Sequence, residues 1–160
     1  MKKLLIAFAA LAAFLAGCAS GGGGAGADTN GVTVLQAGSH SGVKDTEQQD
    51  IHDQAAFQAA WDKIYSDQSS KPALPSVDFT KQTVIYYSVG EMKHGGYSVK
   101  VTRAEPAGTG YAVGLTVIQP GTNCHNMTMD ITHPFIFATV PTTAPVTFDE
   151  VKKRETPPCT

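Results

Sequence analysis

Residues 83–89, Thr-Val-Ile-Tyr-Tyr-Ser-Val, constrain the fold most, because almost every side chain in this run is β-branched or aromatic. Such residues favour the pleated, half-buried surface of a β-strand. Gly, Ser and Pro predict a loop at 37–42 and a turn at 106–110. Similar β patterns, several of them alternating between apolar and polar side chains, predict further strands at residues 32–36, 97–102, 111–118, 127–131, 135–140 and 146–148.

One helix interrupts the strands. Asp53 is a predicted N-cap, and Phe57, Trp61 and Ile64 follow it at the i, i+4, i+7 spacing of one helix face. Residues 71–75, Lys-Pro-Ala-Leu-Pro, end the helix and form an extended connector. The sequence therefore predicts an α+β, β-rich fold, in which an antiparallel sheet or small sandwich carries one packed helix.

The first seventeen residues have the pattern of a signal peptide. Lys2 and Lys3 precede an apolar run at residues 4–16, which is too short to span a bilayer comfortably. The end of this run, Leu-Ala-Gly-Cys at 15–18, resembles the lipobox of bacterial lipoproteins. That resemblance implies cleavage before Cys18 and attachment of acyl chains, palmitate among them, to Cys18. An ordinary secretory signal that is cut at another small residue, such as Ala19, is the alternative.

The predicted lipid at Cys18 implies a location in the cell envelope, anchored to a membrane. Lipoproteins that are kept at the inner membrane resemble one another in having Asp after the lipidated cysteine. Ala19 stands there in this chain, which favours the outer membrane, facing the periplasm. Residues 18–30 then form a Gly-rich tether that we expect to stay flexible, and residues 31–160 form one globular domain.

Charge excludes one class of partner. Cleavage removes Lys2 and Lys3, which leaves ten basic against 14 acidic side chains and a net charge of −4. A mildly acidic domain with scattered basic residues lacks the electrostatic footprint of a nucleic-acid-binding protein.

Cysteine count predicts a disulfide. With Cys18 carrying lipid, Cys124 and Cys159 remain as an even pair in an oxidising compartment. A structural bridge between them is the favoured interpretation. Free thiols or metal ligands are the alternatives.

Sites for chemistry are not evident in the sequence. No pair of histidines has the compact spacing of a zinc motif. The serines lie in polar loops without a Gly-x-Ser-x-Gly context. Asp149 and Glu150 are adjacent, so that on a strand they face opposite ways. The Gly run at 21–24 lacks the strand and helix of a phosphate-binding loop. We therefore expect no catalytic residues, no metal or cofactor, and no small-molecule substrate.

The loop between two strong strand patterns is the candidate for partner binding. Its residues are Lys93, His94, Gly95, Gly96 and Tyr97, and its two glycines can adopt the backbone angles of a hairpin connection. Tyr97 is either the first core residue of the next strand or an exposed anchor for a partner. The sequence leaves both readings open.

Several of these segments together resemble the C-terminal domain of the protease complex subunit PrcB family, over roughly residues 50–148. The resembling segments are Val-Asp-Phe at 77–79, Thr-Val-Ile at 83–85, Gly90, His-Gly-Gly-Tyr-Ser-Val at 94–99, Thr-His-Pro-Phe-Ile at 132–136 and Val-Pro at 140–141.

This resemblance implies a non-enzymatic lipoprotein that acts as a protein-binding module and as an accessory subunit of a protease complex. The chain departs from the family at His94, where Thr is more usual, and in having the Cys124 and Cys159 pair. Two alternatives stay open. The Gly-rich loop that ends in Tyr97 is also similar to the wedge loops of small chagasin-like protease inhibitors, and the chain could instead be a structural envelope lipoprotein without a protease partner.

Overall fold

The computed structural model describes residues 27–28, 31–121, 128–149 and 152–155. Within these residues the chain forms one helix, α1 (Gln54–Ile64), and nine strands. The strands are β1 (Ala27–Asp28), β2 (Val32–Gly38), β3 (Glu47–Ile51), β4 (Thr83–Ser88), β5 (Ser98–Ala107), β6 (Gly110–Gln119), β7 (Phe135–Val140), β8 (Val146–Phe148) and β9 (Lys152–Glu155).

The strands form two sheets. The first has the order β1-β2-β7-β4-β3, and every neighbouring pair in it is antiparallel. In the second, β6 pairs with β5 in the antiparallel direction and with β8 and β9 in the parallel direction. The predicted β-rich fold with one helix is confirmed, and the parallel pairs are confined to the short strands that follow β7.

The two faces of the first sheet bury two separate cores. One face packs against the second sheet through residues such as Ile85, Tyr87 and Val113. The other face packs against α1 through residues such as Tyr86, Phe137 and Trp61. All six residues of β4 and all six of β7 are therefore buried. A strand that is covered on both faces needs apolar residues on both, which explains the continuous run at 83–89 that the sequence shows.

The helix begins where the sequence predicts it, but it ends at Ile64, before the predicted stop at residues 71–75. Asp53 has extended backbone angles and its carboxylate accepts a hydrogen bond from the Ala56 N–H at 2.8 Å, as an N-cap does. Phe57, Trp61 and Ile64 are buried against the first sheet. The Trp61 Nε1–H donates to the Pro72 carbonyl at 3.0 Å, so the Pro-rich connector is fastened to the helix face that it passes.

Three other local predictions were wrong, and strand β3 was not predicted. The predicted loop at 37–42 starts too early, because β2 continues through Gly38 in pairing with β7. The predicted turn at 106–110 also starts too early, because Pro106 belongs to β5 and pairs with Tyr111. β3 was missed, since Glu-Gln-Gln-Asp-Ile shows no apolar alternation and buries only Ile51. The described residues 128–131 of the strand predicted at 127–131 form no strand.

No helix in the described part of the chain is long and apolar enough to cross a membrane. Residues 1–17 and the predicted lipid site Cys18 lie outside the described residues, as do Cys124 and Cys159.

Candidate functional site

The candidate binding loop connects the two sheets. It leaves β4 in the first sheet and enters β5 in the second, and we call residues 89–97 the crossover loop. The hairpin connection that the sequence suggested is therefore wrong. Both neighbours of β4 in its own sheet are already taken by β3 and β7, so the chain continues into the other sheet.

Backbone hydrogen bonds hold the crossover loop along most of its length. Met92 exchanges two with Thr132, at N···O distances of 2.7 and 2.9 Å. The Gly95 N–H donates to the Thr128 carbonyl at 2.9 Å, and the Thr132 hydroxyl donates to the His94 carbonyl at 3.0 Å. The loop thus pairs with residues 128–132, which we call the facing segment. A loop fixed in this way has little backbone entropy left to lose on binding.

Two glycines of the crossover loop are required by its shape. Gly90 has φ +86°, and a Cβ there would lie 3.0 Å from the Lys44 carbonyl oxygen. The Glu91 N–H donates to that same carbonyl at 2.9 Å, so the approach is part of the loop's attachment. Gly96 has φ +91°, and a Cβ there would lie 3.2 Å from Pro120. Residues other than glycine rarely adopt such backbone angles, which is why the sequence has Gly at both positions.

Tyr97 is neither a fully buried core residue nor a fully exposed anchor, so neither of the two interpretations of the sequence describes it. It is partly buried and packs against the core between the two sheets. Its ring also lies beside that of His94, with a centroid distance of 5.1 Å and an interplanar angle of 33°. Lys93, at the tip of the loop, is exposed. The five predicted residues therefore present one exposed cation and a pair of partly covered rings on a fixed backbone.

A shallow, open cleft of about 290 Å³ lies next to Tyr97. The end of β2 and the start of β5 form it, together with the first residue of β7. Its lining is mostly apolar and consists of Ala37, Gly38, Ser39, Tyr97, Ser98, Val99 and Phe135. Gly38 passes so close to the Phe135 ring that a Cβ would lie 2.8 Å from it. The cleft adds a concave feature beside the crossover loop that could receive a side chain of a partner.

Sequence reasoning missed Met129 and Ile131. Their alternation predicted a strand, but the facing segment pairs with the crossover loop only near its two ends, at Thr128 and Thr132. The side chains of Met129 and Ile131 are 86% and 55% exposed, and they are the exposed large hydrophobic residues of the described chain. Alternation reports which residues share a side of a strand, and it does not report whether that side is covered.

His133, which the sequence did not single out, is largely buried beside the loop. Its side chain is 15% exposed, and Nε2 lies 3.7 Å from a carboxylate oxygen of Glu91. Its backbone N–H donates to the Ser39 carbonyl at 2.8 Å. His133 therefore helps to join the end of the facing segment to the end of β2, next to the cleft.

A second polar cluster lies at the opposite end of β4, and the sequence did not indicate it. His52 lies between Asp50 and Thr83, with Nε2 3.0 Å from the Asp50 carboxylate and Nδ1 3.3 Å from the Thr83 hydroxyl oxygen. This order of carboxylate, imidazole and hydroxyl resembles a catalytic triad, a nucleophile relay in which an imidazole oriented by a carboxylate activates a hydroxyl as a nucleophile. Thr83, however, is completely buried and its hydroxyl donates to the Thr142 carbonyl at 2.7 Å. The hydroxyl proton is therefore already engaged in a hydrogen bond and is shielded from solvent. The cluster connects strands and does not present a nucleophile.

Asp50 connects this cluster to the second sheet. Its carboxylate accepts hydrogen bonds from His52 and, at 3.2 Å, from the N–H of Val146, the first residue of β8 in the other sheet. Partial burial by itself would raise the pKa of Asp50. The hydrogen bonds from His52 and Val146 outweigh it and hold the pKa of this carboxyl below its ordinary value of 3.8.

Metal binding finds no support in the residues that the structure describes, among which no group of three or more His, Cys, Asp or Glu side chains could hold an ion.

Comparison with known proteins identifies part of the chain. Residues 83–141 match the model of the PrcB C-terminal family. The matched segment runs from the first residue of β4 to the residue after β7, and so includes the whole crossover loop and the facing segment. The resemblance inferred from the sequence is confirmed there, whereas α1 and residues 77–79 lie before the match. No curated protein and no solved structure matches the chain.

Proposed function

We propose that this chain, whose residues 83–141 belong to the PrcB C-terminal family, is a protein-binding module and an accessory subunit of a protease complex. The observation that carries the proposal is the family match, because it spans the crossover loop and the facing segment that pairs with it.

The form of the crossover loop suits docking to a protein. Its backbone is hydrogen-bonded to Lys44 on one side and to the facing segment on the other. Binding would therefore cost little conformational entropy in the loop. Lys93 offers a cation, the rings of His94 and Tyr97 are partly covered, and the cleft beside Tyr97 is open to solvent. Partly exposed aromatic residues on a rigid scaffold are common anchors in protein interfaces.

We propose that the module performs no reaction of its own. The cluster of Asp50, His52 and Thr83 is the arrangement in the described chain that comes nearest to a nucleophile relay, and its hydroxyl is buried and donates to a backbone carbonyl. A partner with its own active site would then supply the chemistry. Supporting such a partner and inhibiting it are distinct functions, and the experiment below distinguishes them.

We further propose that the chain is anchored by lipid on Cys18 in the cell envelope, at the outer membrane and facing the periplasm. The proposal rests on the signal-peptide pattern of residues 1–17, the Leu-Ala-Gly-Cys end of that pattern and Ala19. The anchor would keep the module near secreted or envelope proteases at a membrane surface.

Affinity purification of the full chain from envelope extracts of its host tests the function. An active serine protease that co-purifies at a constant ratio is the expected result. An inhibited protease would replace the accessory role with that of an inhibitor, and no protease at all would favour a structural lipoprotein.

The double variant Lys93→Ala and His94→Ala tests the loop in the same purification. Both side chains reach solvent at least in part, so we expect near-normal thermal stability with recovery of the protease reduced at least about tenfold. The matched control is Lys81→Ala with Thr109→Ala, two exposed residues at the far ends of β4 and β5 from the loop. Unchanged recovery in the loop variant would rule out these side chains as contacts.

A further inference from the structure

We propose that Met129 and Ile131 form the apolar centre of the surface with which this chain docks onto its protein partner. The inference rests on the proposed function, since it names the part of the module that meets the partner. In the described chain these two residues are the large hydrophobic side chains left exposed, at 86% and 55%. The other large apolar residues of the two sheets and the helix lie in or beside one of the two cores, apart from Ile118 of β6, which is half-buried.

The backbone that carries the two side chains is attached to the crossover loop at both of its ends. Thr128 accepts a hydrogen bond from Gly95, and Thr132 exchanges two with Met92, so that only three residues lie between the attachment points. A Cβ at Gly95 would lie 2.2 Å from the Thr128 hydroxyl oxygen, so the Thr128 side chain packs directly against the crossover loop. Met129 and Ile131 thus lie on a short stretch of backbone that is attached at both ends to residues 92–95 of the crossover loop.

The surroundings of the pair favour a folded protein as the occupant. Charged, exposed side chains of both signs flank the apolar centre along the chain or on the crossover loop paired with it, namely Asp130, Glu91 and Lys93. An apolar centre with a polar rim is the usual anatomy of a protein interface. An anionic lipid surface would repel the two carboxylates, Glu91 and Asp130, and would gain only one lysine. We therefore expect a partner with an apolar socket for Met129 and Ile131 and a carboxylate that faces Lys93.

Site-specific photocrosslinking in the host tests this surface. A photoreactive residue is placed in the full, lipidated chain at 129, at 131 or, as control, at the exposed Thr109 in the turn at the far end of β5, about 30 Å along the strand from the loop. Because positions 129 and 131 are exposed, the substitution leaves the cores intact. The expected result is one protein adduct at 129 and 131 that is absent at 109, identified by mass spectrometry as the protease that co-purifies.

The other outcomes separate this inference from the proposed function. An adduct with a protein that is not a protease supports the surface and overturns the proposed function. A protease that co-purifies but gives no adduct at 129 or 131 overturns the surface and leaves the proposed function standing. An adduct with lipid, with a second copy of the chain, or with no protein at either position also overturns the surface.

Measuring the Kd for the purified partner gives a quantitative test of the same surface. We expect Ile131→Ser and Met129→Ser each to raise the Kd at least tenfold without lowering the Tm, since both side chains are solvated in the free chain. Thr109→Ala should leave the Kd unchanged. A Kd within twofold of wild type for the double variant Met129→Ser with Ile131→Ser would overturn the proposal.

Discussion

Asp50 shows how a single polar side chain can connect elements that are distant in the sequence. It lies on β3, an edge strand with little apolar surface, and bonds both to His52 before α1 and to the first N–H of β8 in the other sheet. Thr83 and Thr142 extend the same network across the start of β4. A network that joins three parts of the fold stabilises their relative placement more than any one contact would.

The pKa of Asp50 gives this network a pH dependence. Because folding lowers the pKa of Asp50, the ionised carboxylate stabilises the fold above the unfolded value, and this contribution is lost as the pH falls through the folded pKa, below 3.8. Asp50→Asn removes the charge, so we expect the variant to have a lower Tm than wild type at pH 6 and nearly the same Tm at pH 2.5. Asp67→Asn, at an exposed carboxylate, is the control. A Tm gap for Asp50→Asn that is equal at both pH values would contradict the assignment.

Among the elements, α1 depends on a local signal at its start and on packing along its length. Asp53 satisfies the N–H of Ala56. The rings of Phe57 and Trp61 meet edge to face at 5.8 Å, and both pack against Phe137 of β7. The cap sets where the helix begins, and the aromatic contacts set the side of the first sheet that it covers. The two effects can be measured separately.

The contribution of the cap is tested by Asp53→Ala. Loss of the hydrogen bond to Ala56 should lower the free energy of unfolding by about 1 kcal/mol, measured by urea denaturation. Asp53→Ser retains an oxygen that can accept this bond and should restore most of the loss. Equal stability of the Ala and Ser variants would mean that the helix does not need its cap.

The crossover loop is the element whose shape depends most on residues far away in the chain. Its sequence correctly indicates a Gly-dependent connection between strands. Its actual path requires Lys44, Thr128 and Thr132, none of which is near in sequence. Tyr97 illustrates the consequence, since it is both a core contact and part of the wall of an open cleft.

For the whole molecule, the proposed lipid anchor at Cys18 would decide where the chain acts. We expect Cys18→Ser to abolish lipidation and to release the mature chain from membranes, because each buried CH₂ of an acyl chain contributes about 0.8 kcal/mol to anchoring. Fractionation with a high-salt wash measures this, with wild type as the retained control. A Cys18→Ser chain that still resists the wash would place the anchor elsewhere.

A disulfide between Cys124 and Cys159 is the second prediction for the whole chain. In the chain-entropy model it would stabilise the fold by about 3–4 kcal/mol, because it closes a long loop in the unfolded state. Peptide mapping of periplasmic material without reductant should recover the two cysteines in one linked fragment. Quantitative alkylation of both as free thiols would refute the bridge.

The sequence by itself determined the features that depend on near neighbours. The start of α1 and the bounds of β4 and β7 were predicted within a residue or two, because capping, helical spacing and dense β-branched or aromatic runs act over a few positions. The same local patterns indicated a β-rich fold, and the residues around the crossover loop indicated the family that residues 83–141 match.

Only the tertiary structure decided which strands share a sheet, and therefore that the loop after β4 crosses between sheets. It also decided that the polar β3 is a strand, that Met129 and Ile131 stay exposed, and that Asp50, His52 and Thr83 come together. Strand pairing and burial are set by contacts between residues that are far apart in the chain. A local pattern can show that a side of a strand is apolar, but the rest of the fold determines what covers it.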